Sequence, residues 1–132
     1  QQVSSAASDV YKRQLPYLTG KSDKSARNEF VYWSDDGDLL ALRYGNYKYH
    51  FMIQENETGL DIWKKPFTKL RVPQFYDLSI DPFERGDTGM GYDRWMYERT
   101  FLVMPAIEKV KEVMDTFKDY PPRMTPGSFV PK

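Results

Sequence analysis

The stretch YDLSIDPFERGD carries four carboxylates at the end of a hydrophobic run, and three of them are candidates for acid–base chemistry. Asp77, Asp81 and Glu84 could act as general acids or bases, a role that needs carboxylates whose environments push their pKa values apart. A structural role accounts for more of the residues. Asp81 precedes Pro82, and the residue before proline is kept away from helical angles, which suits a turn. We therefore favour carboxylates that cap this turn, with Arg85 as a salt-bridge partner.

His50, the single histidine of the chain, is a second candidate for acid–base chemistry. Strand-like alternation puts it on the same face as Lys48, among aromatic residues, where it could serve as a general base or contact a substrate. The nearby sequence supplies no paired carboxylate, so we favour a half-buried structural histidine. One histidine and no cysteine exclude multi-histidine metal sites, thiolate sites and disulfides from these residues.

Three aspartates in the segment SDDGD are candidate ligands for a hard cation. Asp35, Asp36 and Asp38 are too close together for a calcium loop, which spreads its carboxylates over about a dozen residues and ends on a distal glutamate. The Asp-Gly pair in the segment is a strong hairpin signal. We therefore interpret these aspartates as the acidic tip of a β-hairpin.

Aromatic residues make up 16% of the chain and supply a further candidate surface. The side chains predicted to be exposed are Tyr17, Tyr47, Trp63, Tyr92 and Trp95. They could form a wall on which a carbohydrate stacks, or a sheet face that is buried against another domain. Both interpretations stay open on the sequence alone.

The elements that position these candidates begin with a three-stranded antiparallel meander. Strands are predicted at 29–33, 39–44 and 47–53, separated by the turn signals Asp-Gly and Gly-Asn. Alternation gives the third strand one aromatic face and one face that carries Lys48 and His50.

After the meander, the pattern predicts an irregular excursion that Trp63 and Phe67 anchor to the core. Residues 75–78 are predicted to form a short fourth strand, so the sheet extends over 29–78.

A helical region is predicted at 91–119. Its apolar residues follow the spacing of one helix face, and they are Val103, Ile107, Val110, Met114 and Phe117. Pro105 interrupts this pattern, so we expect a kink or a break, with Pro105 in the first turn of the second helix. Lys111 and Asp115 are spaced to form an ion pair on the exposed side.

A sheet with one apolar face and a helix with one apolar stripe can bury these surfaces on each other. The sequence therefore predicts an α+β fold in which an antiparallel sheet of about four strands packs against a C-terminal helix. The 132 residues suffice for one domain. The formal net charge of zero argues against a nucleic-acid or membrane-surface binder, and no apolar run approaches the roughly 20 residues that span a bilayer.

The two ends of the chain have a different character from the rest. The segment SSAASDVYKRQ resembles a translated adapter tail from assembled metagenomic fragments, so residues 1–14 are expected to be a disordered or non-native leader. Residues 121–132 are rich in proline and are expected to form an extended tail.

Three ordered segments resemble the C-terminal region of bacterial arylsulfatases, members of the alkaline phosphatase-like sulfatase superfamily. They are LPYLTGKSDKSARNEFVYWSDDGDLLALRYGNYKYHFM, PFTKLRVPQFYDLSIDPFERGD and FKDYPPRMTPGSF. The element LRYGNYKYHFM is similar to a family strand pair in which Arg and Gly lead into an aromatic-Lys step, and YDLSIDPFERGD resembles the family ending YDL..DP.E. The structural motif positions are Arg43, Gly45, Lys48, Tyr76, Asp77, Leu78, Asp81, Pro82 and Glu84.

The resemblance implies a parent enzyme that hydrolyses sulfate esters. Many bacterial sulfatases are exported to the periplasm or the cell exterior, and the residues of this chain leave the compartment open. In this family the nucleophile is a formylglycine made from Cys or Ser, and a calcium ion neutralises the sulfate. Both belong to an N-terminal catalytic domain, and no residue of this chain matches those motifs. We therefore expect residues 15–132 to be a sulfatase C-terminal subdomain that packs on the missing catalytic domain, helps to shape the substrate cleft, and is not catalytic alone.

Other classes of function stay open beside this expectation. A free-standing aromatic-faced module would bind a carbohydrate or another protein, and its surface would be polar with one localised pocket. A severed subdomain would instead expose a large apolar patch where its partner belongs. An oligomerisation element that acts through the helix face is a third possibility.

Overall fold

The computed structural model describes residues 14–25, 28–56, 58–119 and 121. The predicted leader, apart from its last residue, and nearly all of the predicted tail lie outside the described residues. The predicted domain boundary at residue 15 stays a prediction.

Four strands form one antiparallel sheet in the order β1–β2–β3–β4. Their bounds are β1 (Glu29–Trp33), β2 (Leu39–Tyr44), β3 (Tyr47–Ile53) and β4 (Thr68–Asp77). Each strand pairs with the next one along the chain, which is the commonest arrangement for sequential strands. The predicted α+β class and the four-stranded antiparallel sheet are confirmed.

The two hairpins of the meander follow from their turn residues. Gly37 and Gly45 have φ values of 84° and 59°, in the left-handed region that glycine adopts without steric cost. Ser34 closes the first turn, because its N–H donates to the Asp38 carbonyl and its hydroxyl accepts the Asp38 N–H. The segment SDDGD is therefore a hairpin turn, as predicted.

β4 is longer than the predicted strand at 75–78, because residues 68 and 69 also pair with β3. An irregularity in the pairing between His50 and Met52 separates the two paired parts of β4. β4 is an edge strand, a position in which Pro73 need not cost a ladder hydrogen bond. Leu70 and Val72 alternate with Lys69 and Arg71 in the first half of the strand, so the sequence carried a strand signal there that the prediction missed.

A single-turn helix, α1 (Asp61–Lys64), lies in the excursion between β3 and β4. Gln54 holds this segment near the end of β3, because its side-chain amide donates to two of the segment's backbone carbonyls. The predicted anchoring role of Trp63 is wrong, since the residue is 80% exposed. Phe67, the other predicted anchor, is half-buried.

Two longer helices occupy the predicted helical region. α2 (Tyr92–Glu98) is followed by the 3-10 segment Thr100–Leu102 and by α3 (Val103–Asp119). Pro105 lies in the first turn of α3, where its missing N–H has no intrahelical partner to lose. The prediction for Pro105 is thus confirmed, and the 3-10 segment is the expected break. A further helical segment covers residues 14–18.

α3 packs across one face of the sheet and closes a small core. The central buried residues are Leu42, Tyr49, Phe75 and Ala106. Val103 and Val110 from the predicted helix stripe pack against them. Met114 departs from the predicted stripe, because it is 43% exposed. The opposite face of the sheet is not covered by α3, and it carries the side chains of Lys48 and His50.

The ion pair predicted on the exposed side of α3 is wrong. Asp115 pairs with Lys118, with 2.7 Å between Oδ1 and Nζ, rather than with Lys111. Lys109 and Glu112 form a second pair at the same three-residue spacing, with 2.6 Å between Nζ and Oε2. Such pairs stabilise a helix by about 0.2–0.5 kcal/mol each.

Candidate functional site

The sheet face that points away from α3 carries three charged or titratable side chains in contact. Lys48 and His50 lie on β3, and Glu84 lies on the loop that follows β4. The Lys48 Nζ is 2.6 Å from Glu84 Oε1, and the His50 Nε2 is 2.5 Å from Glu84 Oε2. Between 17% and 24% of each side chain is exposed. We call these residues the Lys48–Glu84–His50 cluster, in which one carboxylate binds two donors from a single strand.

Local geometry brings Glu84 to the strand. The two donors are two residues apart on β3 and therefore share a face. The loop turns sharply at Glu84, whose φ of 55° costs a non-glycine residue roughly 1–2 kcal/mol. Asp81 stabilises this turn, because its carboxylate accepts the backbone N–H groups of Arg85 (3.1 Å) and Gly86 (2.7 Å). The predicted capping role of Asp81 is confirmed.

The structure corrects one prediction about the cluster and identifies the partner of His50. Glu84 was expected to cap the turn with Arg85 as its partner, and instead its carboxylate binds Lys48 and His50. His50 is half-buried, as expected, and its carboxylate partner Glu84 does not come from the nearby sequence. The partner is 34 residues away in the sequence, so only the return of the loop onto the sheet brings the two side chains together.

Burial and hydrogen bonding set the protonation states of the cluster. Burial lowers the pKa of His50, and the hydrogen bond and charge of Glu84 offset this only in part. Burial raises the pKa of Glu84, but the hydrogen bonds from Lys48 and His50 outweigh this effect and hold it below its usual value. Near neutral pH the cluster therefore holds a charged Lys48, an ionised Glu84 and a neutral His50, and its net charge is zero.

The tautomer of His50 follows from its partner. An ionised carboxylate can only accept hydrogen bonds, so the neutral ring carries its proton on Nε2 and a lone pair on Nδ1. In the described part of the chain, no residue bonds to Nδ1. Tyr76 contacts the imidazole edge-on, with ring centres 5.6 Å apart, and the Lys48 Nζ lies 4.8 Å from the centre of the Tyr32 ring. These aromatic contacts restrict the orientation of both donors.

The cluster borders a hollow of about 460 Å³ on the same face of the sheet, which we call the sheet hollow. Polar groups in its lining come from Tyr32, Lys48, His50, Gln54 and Asn56. The apolar part of the lining comes from Leu40, Ala41, Met52, Ile53, Ile62 and Phe67. The sheet hollow therefore combines hydrogen-bonding groups with an apolar surface, as small-molecule sites commonly do.

The other two candidate carboxylates, Asp77 and Asp81, each accept hydrogen bonds within a turn. Asp77 Oδ1 accepts the N–H (3.0 Å) and the hydroxyl of Ser79, and Asp81 caps the following turn. Both aspartates line a second, smaller hollow of about 300 Å³. Their contacts are those of structural residues, as the sequence analysis favoured over acid–base catalysis.

The predicted aromatic wall is wrong for three of its five members. Tyr92 is only 8% exposed, and Tyr47 is packed against the core. Trp95 also packs against the core, and the Arg99 guanidinium lies over its ring at 4.9 Å. The members that are exposed are Tyr17 and Trp63. The five rings therefore do not form one stacking surface.

The motif positions taken from the family resemblance gather around one end of the β3–β4 pair. Arg43 is exposed, and its Nε is 3.5 Å from the Gly45 carbonyl oxygen in the second hairpin turn. The Leu78 N–H donates to a carbonyl of the same turn at 2.8 Å. Lys48 and Glu84 are in direct contact. The role of these positions as a family motif stays a prediction.

Asp35, Asp36 and Asp38 lie in and beside the first hairpin turn. Across the described residues, no group of three or more His, Cys, Asp or Glu side chains is arranged to hold a metal ion. Within the same part of the chain, none of the helices is both long enough and apolar enough to cross a membrane.

The pH dependence of stability tests the protonation of His50. Its folded pKa lies below the unfolded value of 6.5, so the unfolded chain binds more protons as the pH falls. The contribution of this pKa difference to the free energy of unfolding is fully present above about pH 6.5 and is lost as the pH falls below that value. We expect the free energy of unfolding of His50→Gln, measured with urea, to fall less steeply than that of the wild type between about pH 7 and pH 5.

Two features allow the difference between the wild type and His50→Gln to be assigned to the titration of His50. Glutamine keeps an N–H donor for Glu84, and the chain has no other histidine that titrates in this range. The lowered pKa of Glu84 acts in the same direction, but its contribution is lost only as the pH falls below about 4.5. Equal slopes for the two proteins would contradict a neutral, buried His50.

Comparison with solved structures shows that this fold is similar to part of a sulfatase. No family model matches the chain, and no curated protein matches it. Among solved structures, the PsFucS1 sulfatase from Pseudoalteromonas sp. is similar, with a TM-score of 0.53 and 30% sequence identity. The match covers 74% of this chain and 19% of that chain, so this chain spans about a fifth of the sulfatase's length. The likeness supports a relationship to the sulfatase family.

Proposed function

We propose that this chain is the C-terminal region of an arylsulfatase-type sulfuric ester hydrolase. In the parent enzyme it packs on a catalytic domain and helps to shape the rim of the substrate cleft. The similarity to the PsFucS1 sulfatase carries the proposal, because it extends over most of this chain but only a small part of that one. The resemblance of three ordered sequence segments to arylsulfatase C-terminal regions supports the same assignment.

The formylglycine and calcium of this enzyme class do not fit the residues of this chain. The chain has no cysteine, and none of its serines stands in a Ser-x-Ala-x-Arg motif. The described residues also offer no acidic cluster for a cation. We therefore assign both groups to the proposed catalytic domain and derive no chemical step from the residues of this chain.

Exposed apolar side chains support the packing role. Six large ones follow one another in the segment from the loop after β4 to the start of α3, and they are Ile80, Phe83, Met90, Tyr97, Phe101 and Met104. Exposed large apolar side chains often mark interaction sites, and the core of an interface is enriched in aromatic residues and Met. The segment is therefore the surface that we assign to the catalytic domain.

The alternative functions have less support from the fold. An aromatic-faced binding module needs exposed rings on one surface, and Tyr92 is buried while Trp95 packs against the core. An oligomerisation element on α3 needs a free apolar stripe, and residues of that stripe pack on the sheet instead.

The genomic sequence directly upstream of the codon for Leu15 tests the proposal. We expect the same reading frame to encode a Cys-x-Pro-x-Arg or Ser-x-Ala-x-Arg motif, which is the substrate for formylglycine formation. We also expect the purified chain, assayed with calcium present, to hydrolyse no 4-nitrophenyl sulfate. Turnover by the purified chain, or an upstream frame that encodes an unrelated protein, would overturn the proposal.

A further inference from the structure

The sheet hollow and the Lys48–Glu84–His50 cluster hold polar groups that the proposed packing role does not use. Glu84 is held in a left-handed conformation and binds His50 through Nε2. The lone pair on Nδ1 is left without a partner in the described part of the chain. In many ligand sites a carboxylate binds one nitrogen of an imidazole and so orients the ring, and the second ring nitrogen binds the ligand.

We propose that the sheet hollow binds a neutral sugar ring, with His50 Nδ1 accepting a hydrogen bond from a sugar hydroxyl. This inference goes beyond the proposed function and does not depend on it. It rests on the charge, the hydrogen-bonding groups and the shape of the hollow.

The charge of the cluster selects a neutral ligand. Lys48 and Glu84 neutralise each other at 2.6 Å, so the hollow has no unpaired charge that would attract an anion such as sulfate. A free carboxylate or ammonium group entering this half-buried region would lose solvation without gaining a counter-ion. Hydroxyl groups can enter, because each one both donates and accepts hydrogen bonds.

The remaining lining matches the two kinds of surface on a sugar ring. Tyr32, Asn56 and His50 line the hollow, and their side chains offer a hydroxyl, a carboxamide oxygen and the Nδ1 lone pair as partners for hydroxyl groups. The floor of Met52, Ile53 and neighbouring apolar side chains can contact the C–H face of the ring. The volume of about 460 Å³ lies within the range of roughly 300–1,000 Å³ that is usual for small-molecule sites.

The single histidine provides a direct assay with the full chain. Its imidazole resonances in the proton NMR spectrum belong to His50 alone. We expect one or more of methyl glucoside, methyl galactoside and methyl mannoside to shift these resonances saturably, with a Kd of about 1–10 mM. Neither sodium sulfate nor 4-nitrophenyl sulfate is expected to shift them in the same concentration range.

Matched variants locate the effect. Tyr32→Phe removes one hydroxyl from the hollow and is expected to weaken sugar binding by about 2- to 10-fold. Tyr97→Phe removes a hydroxyl from an exposed tyrosine elsewhere and is expected to leave the affinity unchanged. His50→Gln, followed through the amide resonances of Ala41 and Met52, is expected to weaken binding to a similar degree as Tyr32→Phe.

Three outcomes would overturn the inference. They are the absence of any saturable shift with the sugars, a shift with sulfate or the aryl sulfate only, and equal affinities for the Tyr32 and Tyr97 variants. Failure here leaves the sulfatase proposal standing, because that proposal is tested by the upstream reading frame and by sulfate ester hydrolysis.

Discussion

Phe75→Ala is expected to lower the free energy of unfolding by about 3–5 kcal/mol, the usual loss when a large aromatic side chain is truncated in a core. Phe75 is fully buried, and its ring centre lies 5.5 Å from that of Tyr49 and 5.4 Å from that of Trp95. It therefore links the sheet to α2. Close-packed neighbours relax only in part around such a cavity, so most of the lost contacts are not recovered. Urea unfolding monitored by tryptophan fluorescence measures the change.

Phe83→Ala is the matched control, because Phe83 is 81% exposed and the same atoms are removed. Its effect on the free energy of unfolding is expected to stay within about 0.5 kcal/mol. If the Phe75 variant does not fold, circular dichroism will show this, and the loss then equals or exceeds the total stability of the wild-type chain. Similar losses for the two variants would contradict the position of Phe75 in the core.

The local elements of this fold could be predicted because their signals lie within a few residues. The Asp-Gly and Gly-Asn turns fix the meander, since Gly37 and Gly45 take up the left-handed conformation that the hairpins need. The 3.6-residue apolar period predicts α3, and the fixed φ of proline predicts that Pro105 lies in its first turn. Pairing a one-sided sheet with a one-sided helix then gives the α+β class.

Burial of individual aromatic residues could not be predicted in the same way. Trp63 lies in the single-turn helix α1 and Tyr92 begins the short helix α2. Trp63 is exposed, whereas Tyr92 is buried. What separates them is tertiary: the Tyr92 hydroxyl donates to the Phe75 carbonyl at 3.0 Å, and its ring stacks on Tyr76. Large aromatic side chains carry no local signal that tells a core position from an interface position.

The cluster shows what sequence reasoning missed and why. Alternation along β3 put Lys48 and His50 on one face, which left two donors without an acceptor. That imbalance was a usable signal, because a half-buried lysine needs a counter-charge. Choosing Glu84 among the acidic residues required the turn at Asp81 and the left-handed backbone at Glu84, and neither follows from local propensity.

Glu84→Ala is expected to lower the free energy of unfolding by about 2–4 kcal/mol, because it leaves the mostly buried Lys48 charge without a counter-ion and removes the acceptor for His50. The loop after β4 also loses its side-chain tie to the sheet. Glu98→Ala is the matched control. Glu98 pairs with Arg94 on the surface, where 87% of the arginine side chain is exposed, so its loss should not exceed about 1 kcal/mol.

Two further variants separate the causes of this loss. In a Lys48→Met background the lysine charge is already absent, so Glu84→Ala leaves no buried cation without a partner and should cost less than in the wild type. The difference measures the coupling between the two side chains. Glu84→Gly removes the carboxylate but suits the φ of 55°, and it should therefore be about 1 kcal/mol more stable than Glu84→Ala. Additive effects of the Lys48 and Glu84 substitutions would show that the carboxylate does not hold the loop through Lys48.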